Sequence, residues 1–201
     1  MSTSVSSVTS CPGSRSLSLP AAVDDIRALH IGDAVTLTGR MYTGRDAVHR
    51  YLTSGETLDC DLRGAVLYHC GPVMVREGDG WRVSAAGPTT SAREEPYMGE
   101  LIRRYGLRAV IGKGGMGEST LAAMRDIGCV YLHAVGGAAQ VLAANIEEVE
   151  AVYGYDLFGP PEAVWQLRVR EFPVVVTMDS HGRSLHDMVA NTSRQQLELL
   201  L

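Results

Sequence analysis

Four glycines and a lysine stand together at Gly112-Lys113-Gly114-Gly115-Met116-Gly117, between a run that reads as a buried strand and one that reads as a helix. Glycines let backbone N–H groups converge on an anion at a helix start, and one lysine adds a full positive charge. Phosphate and carboxylate both suit such a loop, and a tight strand-to-helix turn with an exposed lysine is the plainer alternative. Two nucleotide patterns fail here. A dinucleotide fingerprint needs an acidic residue at the end of the next strand, where Leu132-His133-Ala134 stands. The phosphate-loop pattern needs a glycine where Leu107 stands and a hydroxyl residue where Gly114 stands.

Gly87-Pro88-Thr89-Thr90-Ser91-Ala92-Arg93 packs three hydroxyls and an arginine behind another predicted strand. A Gly-Pro turn with helix-capping hydroxyls explains part of it, while Arg93 offers a planar fork for a carboxylate. A threonine hydroxyl is a poor base unless a neighbour such as Lys113, or an acid from a partner, takes its proton. The third segment is Thr43-Gly44-Arg45-Asp46-Ala47-Val48-His49. Asp46 reads as a helix-start carboxylate and His49 as a residue that packs or hydrogen-bonds within the domain. Arg45 lies at the electrostatically wrong end of a helix, which implies an anion or a carboxylate partner. Arg45, Arg93 and Lys113 together suit a small dianion such as a dicarboxylate.

The remaining candidates are weaker. His69, His133, His181 and His186 lack metal-ligand spacing, and no G-x-S-x-G elbow supports a Ser-His-Asp arrangement. Tyr153, Tyr155, Phe158 and Trp165 read as core or subunit interface. Cys11, Cys60, Cys70 and Cys129 form no C-x-x-C pair and show no spacing that advertises an iron–sulfur cluster.

The elements that must hold these loops follow from periodicity. Residues 1–22 form a Ser-rich tail expected to be disordered, and 23–201 one domain. Ala34–Thr43 alternates as a strand, a helix runs from the TGRD start to about Gly55, and Ala65–Cys70 and Trp81–Ala85 read as strands of one hairpin. A helix is expected over Glu95–Tyr105, closed by Gly106. Strand, glycine loop, helix and strand then follow over Leu107–His133, with a short helical run after Gly136-Gly137. Ala163–Val169 and Pro173–Met178 read as two strands around Glu171-Phe172, and Ser184–Leu200 as a helix. The order makes an α/β domain with a mixed sheet. With 201 residues, 45% hydrophobic, the chain can bury a real core. Eighteen Lys plus Arg against 23 Asp plus Glu, a net charge of -5 without basic clusters, argue against nucleic acid. No apolar run spans a bilayer and no secretory h-region opens the chain, so a soluble, cytoplasmic protein is expected.

Read in order, GDAVTLTGRMYTGRDAVHR at 32–50, GPTTSAR at 87–93 and IGKGGMG at 111–117 resemble the β subunit, or C-terminal domain, of the class I iron–sulfur fumarate hydratase and L(+)-tartrate dehydratase family. VGGAAQVLAANIEEVE at 135–150 and PEAVWQLRVREFPVVVTMDSHG at 161–182 add to the likeness, which covers residues 23 to 190. The resemblance implies a three-layer β/β/α swivelling domain that closes over substrate bound at a four-iron four-sulfur cluster. That cluster is ligated by the α subunit and not by this chain, which is then catalytically incomplete alone. By motif, Arg45, Arg93 and Lys113, with Gly114 and Gly115, would hold the substrate carboxylates, and Thr89 would act as base or proton relay. Catalysis would thus fall to Thr89 and Lys113, in a reversible hydration that makes malate from fumarate or, next in order, dehydrates L-tartrate. An α2β2 assembly is implied, with a β homodimer for the chain made alone. A dicarboxylate-binding or assembly module of the same fold is the alternative. One departure stands out: Glu94-Glu95 follows Arg93 where the family often has Met and then an acid, and an extra carboxylate there would weaken the anion grip or sit at a helix start.

Overall fold

The computed structural model describes residues 14–200. Its first strand, β1 (Arg15–Ser18), lies inside the segment expected to be a disordered tail. The reason is an available sheet edge. β1 pairs in parallel with β2 (Ala34–Thr43), Leu17 opposite Leu37, and both Leu17 and Leu19 are buried. Two leucines suffice because the neighbouring strand supplies the hydrogen bonds that serines cannot. The rest of that expected tail, residues 1–13, lies outside the described residues.

After the short helix α1 (Val23–Arg27), β2 leads into α2 (Asp46–Thr53) and then β3 (Val66–Tyr68). The hairpin differs from expectation. It joins β4 (Val73–Glu77) to β5 (Gly80–Ala85), while β3 sits inside the main sheet between β2 and a later strand. Gly71-Pro72 separates β3 from β4, and β3 is buried on both faces, as a central parallel strand must be. A 3-10 turn at Ser91–Glu94 runs into α3 (Glu95–Tyr105), which Gly106 ends in the left-handed conformation. β6 (Ala109–Gly112), α4 (Glu118–Ile127), β7 (Val130–His133) and α5 (Ala139–Ala144) complete the expected alternation.

β8 (Ile146–Tyr153), followed by α6 (Tyr155–Phe158), was not signalled by the sequence, because Glu147, Glu148 and Glu150 break its apolar pattern. Cross-strand arginines compensate: Arg40 and Arg168 pair with Glu150, and Arg170 with Glu147. β9 (Val164–Met178) is one strand rather than two. At its midpoint Glu171 has φ +49, and the irregularity keeps its partners, because Thr38 Oγ1 accepts the Glu171 N–H at 3.1 Å and the Asn145 amide donates to the Arg170 and Glu171 carbonyls. The C-terminal helix is α7 (Leu185–Leu200).

β1, β2, β3, β6 and β7 are parallel; β9 runs antiparallel to β2, β7 and β8. Because β9 bonds both β7 and β2, the pairings close a circuit β2–β3–β6–β7–β9. Residue alternation then sorts two cores. Val66, Tyr68, Ala109, Ile111, Val130 and Leu132 face the inside, where Tyr68 meets Phe172 edge-on at 5.5 Å and Trp165 packs on Trp81. Leu67, Val110 and Tyr131 face outward, under α2, α3 and α4. The result is a mixed α/β fold with a mixed sheet, and no helix among the described residues is long and apolar enough to cross a membrane.

Candidate active site

All three cation-bearing segments come out at the carboxyl ends of the parallel strands, the end at which both open and closed parallel α/β sheets place ligands. Arg45 follows β2, Lys113 follows β6, and the segment carrying Thr89 and Arg93 is tied to the residue after β3. The ties are backbone bonds: Thr89 N–H donates to the His69 carbonyl at 2.7 Å, Lys113 N–H to Thr89 at 3.1 Å, and Ser91 N–H to Lys113 at 3.0 Å. The two motifs therefore travel as one unit, joined by a parallel bridge between Thr90 and Lys113.

Arg45 is the residue that caps α2, in extended conformation, and is half-buried. Its Nε lies 3.3 Å from Glu162 Oε1, while Glu162 Oε2 accepts the Ala47 N–H at 3.1 Å. A carboxylate from the loop before β9 thus occupies the positive start of α2 and holds the misplaced arginine. The sequence signalled a carboxylate partner for Arg45 but could not locate it.

The glycine loop departs from its expected role in the same way. The start of α4 already holds an anion, for Glu95 accepts the Gly117 N–H at 2.7 Å, the Thr120 N–H at 3.2 Å and the Thr120 hydroxyl at 2.7 Å. Two of the backbone donors at this helix start, Gly117 and Thr120, are thus satisfied by this chain's own α3. Gly115, at φ +77, is buried under the His186 ring, and a Cβ there would lie 2.4 Å from it; Gly114, at φ +85, is exposed. Two side chains remain open. Arg93 is exposed, Lys113 is half-exposed, and neither has a hydrogen-bonding or carboxylate partner for its side chain among the described residues. Thr89 is half-buried, with its hydroxyl donating to the His69 carbonyl at 3.0 Å.

Below these loops lies a buried polar layer. Glu94 does not compete with Arg93: it turns inward, and its carboxylate meets His49 Nδ1 at 2.8 Å, with both side chains 2% exposed or less. Burial raises the Glu94 pKa and lowers that of His49 to about 3. His69 Nδ1 contacts Ser91 Oγ at 2.8 Å, and the Tyr131 hydroxyl donates to the same oxygen at 2.8 Å. His49 thus bonds within the domain as expected. The pairing with Glu94 was beyond the sequence, whose one signal was that both residues adjoin cationic motifs.

Gly112 exists for this layer. A Cβ at that position would lie 1.9 Å from Ser91 Oγ and 2.9 Å from the Tyr131 hydroxyl. Gly112→Ala is expected to cost about 1–3 kcal/mol of stability in chemical denaturation through overpacking, with part of the loss recovered in a double variant carrying Ser91→Gly.

The described cysteines do not fit an iron–sulfur cluster. Cys70 and Cys129 are buried thiols and Cys60 is half-buried; burial pushes Cys60 up to about 11, Cys70 up to about 12, and Cys129 higher still. They lie after different strands and helices, and no three His, Cys, Asp or Glu side chains among the described residues gather as a metal site.

What the fold and loops define is an α/β chain that carries Arg45, Arg93 and Lys113 at one end of its parallel strands, the last two open among the described residues. A model of the fumarase C-terminus matches residues 9–189, and the chain belongs to that family. A Geobacillus stearothermophilus protein, provisionally named a class I fumarate hydratase, is 53% identical over 184 residues; these make up 90% of this chain and 35% of that protein. The chain thus spans about a third of that relative's length. A Methanocaldococcus jannaschii protein, provisionally named an L(+)-tartrate dehydratase β subunit, is 42% identical, covering 88% of this chain and 93% of the relative. The L(+)-tartrate dehydratase β subunit of Escherichia coli K12 is 37% identical, covering 84% and 85%.

Proposed function

We propose that this chain is the β component of a hydro-lyase for dicarboxylates, interconverting fumarate and L-malate, with L-tartrate as the next substrate. The observation that carries the reading is that Arg93 and Lys113 have no carboxylate partner among the described residues beside Thr89, while Glu95 and Glu162 fill the neighbouring helix starts. Adding water across a C=C bond next to a carboxylate places charge on that carboxylate as an aci-form develops, and the two cations stabilise it. Arg45, released from Glu162 when substrate enters or shared with it, takes the second carboxylate, with exposed Gly114 giving close access and Gly115, buried under the His186 ring, shaping the loop beneath. Thr89 moves the proton at the carbon that gains or loses hydrogen. The four-iron four-sulfur cluster belongs to an α-subunit partner, in keeping with the scattered, buried or half-buried thiols among the described residues. The pair works in the cytoplasm.

Anaerobic co-production with the cluster-bearing subunit, followed by assays on fumarate, L-malate and L-tartrate with this chain alone as control, tests the reading. Turnover by the pair alone is the expected result. A stable, loaded complex without turnover moves the chain to a dicarboxylate-binding or assembly module. Thr89→Val is expected to lower kcat about 10²-fold with little change in KM, while a pure KM effect would make Thr89 a binding residue.

A further inference from the structure

The buried layer contains two ring nitrogens without a partner among the described residues, His49 Nε2 and His69 Nε2, on rings whose centroids lie 5.2 Å apart. Both side chains are fully buried, where an unpaired polar atom is costly. Hydrogen-bond direction resolves them. The Tyr131 hydroxyl donates its proton to Ser91 Oγ at 2.8 Å. Ser91 then has its hydroxyl proton free for His69 Nδ1, which leaves His69 Nε2 carrying hydrogen as a donor. At the far end, the Glu94 carboxylate accepts from His49 Nδ1–H, which leaves His49 Nε2 a bare acceptor. The two partnerless nitrogens are therefore opposite in kind, and a modest ring rotation or one bridging water joins them.

We propose that Tyr131, Ser91, His69, His49 and Glu94 form one directional hydrogen-bond chain whose task is to position the loops above it. The members are attached to several parts of the site. Tyr131 stands under the glycine loop, Ser91 and Glu94 lie in the segment of Thr89 and Arg93, and the His69 carbonyl receives both Thr89 protons. His49 lies one helical turn behind Arg45. The opposite direction fails on the same count: a proton on Glu94 makes His49 Nε2 a donor and His69 Nδ1 a donor to Ser91, whose oxygen then accepts from both His69 and Tyr131 and whose own proton has no acceptor among these groups. Burial keeps both imidazoles neutral, with pKa values lowered to about 3.

Histidine-selective 15N labelling of the whole chain, read by long-range proton–nitrogen correlation spectra between pH 6 and 8, tests the chain. His49 protonated on Nδ1 and His69 on Nε2, both neutral, is the expected result. The same tautomer on both rings, the reversed pair or a charged ring overturns it. The positioning role rests on the functional reading above and is measured in the co-produced pair. Ser91→Ala and Glu94→Leu are expected to lower kcat/KM about tenfold. Glu94→Gln, whose amide oxygen still accepts from His49 Nδ1–H, is expected to recover most of it. Folded Ser91→Ala and Glu94→Leu proteins with undiminished kcat/KM overturn the role; if Glu94→Leu does not fold, Ser91→Ala decides alone. A wild-type pair inactive on every diacid overturns the functional reading instead, and the tautomers still decide whether the chain exists.

Discussion

Lys113→Ala and Arg93→Ala are each expected to reduce kcat/KM of the reconstituted pair by about 10²–10³, the usual cost of removing one fixed group that stabilises developing negative charge. Their effect on stability should be small, since neither side chain has an internal partner among the described residues and exposed substitutions change stability little. This combination separates a site residue from a structural one. Arg45→Ala differs, because Arg45 also holds Glu162 at the start of α2 and its loss lowers stability as well as turnover. Arg93→Lys is not expected to restore turnover if Arg93 grips a carboxylate with two parallel donors, since an ammonium cannot reproduce that fork. Steady-state kinetics beside thermal melts check the set, and full activity in both alanine variants would remove these residues from the site.

Asp179→Ala is expected to cost roughly 3 kcal/mol of stability, lowering Tm by about 6–12 °C for a chain of this size. Asp179 directly follows β9, with its side chain fully buried. Its carboxylate accepts the N–H groups of Ile31 at 3.3 Å, His181 at 3.0 Å and Arg183 at 3.1 Å, and it pairs with the Arg183 guanidinium, Nε at 2.8 Å. Removing it strands donors from two loops at once, although half-exposed Arg183 can turn to water. Burial alone raises the Asp179 pKa, but the Arg183 side-chain bond and the backbone N–H bonds outweigh it and hold the pKa below the ordinary value. A depressed carboxylate contributes stability in full above its unfolded pKa, near about 4, and loses that contribution as pH falls through the folded value. Asp179→Asn should therefore flatten the acid limb of the stability curve below about pH 4, measured by urea melts across pH.

Local signals carried far in this chain. Ala34–Thr43 alternates cleanly because one of its faces meets the inner core, and Gly106 ends α3 because only glycine enters the left-handed region cheaply. The family likeness rested on short loops at strand ends, and the family model matches the chain that carries them. Where expectation failed, the missing information was a partner distant in sequence. β1 looked disordered until β2 supplied an edge, β8 looked too acidic until Arg40, Arg168 and Arg170 came alongside, and Ala65–Cys70 was assigned to a hairpin that Val73–Glu77 completes.

The same division holds within the site. By itself the sequence determined which residues could bear charge at the strand ends, namely Arg45, Arg93 and Lys113, because turns, caps and strand periods act over a few residues. Only the tertiary structure decided which of those charges remain open. Glu162 reaches Arg45 across 117 residues of chain, Glu95 fills the start of α4 from the neighbouring helix, and Glu94 turns from Arg93 to His49. Electrostatic and hydrogen-bond partners are chosen by distance in space, and the pairing of β9 with β2, Tyr42 opposite Gln166, is what brings Glu162 beside Arg45.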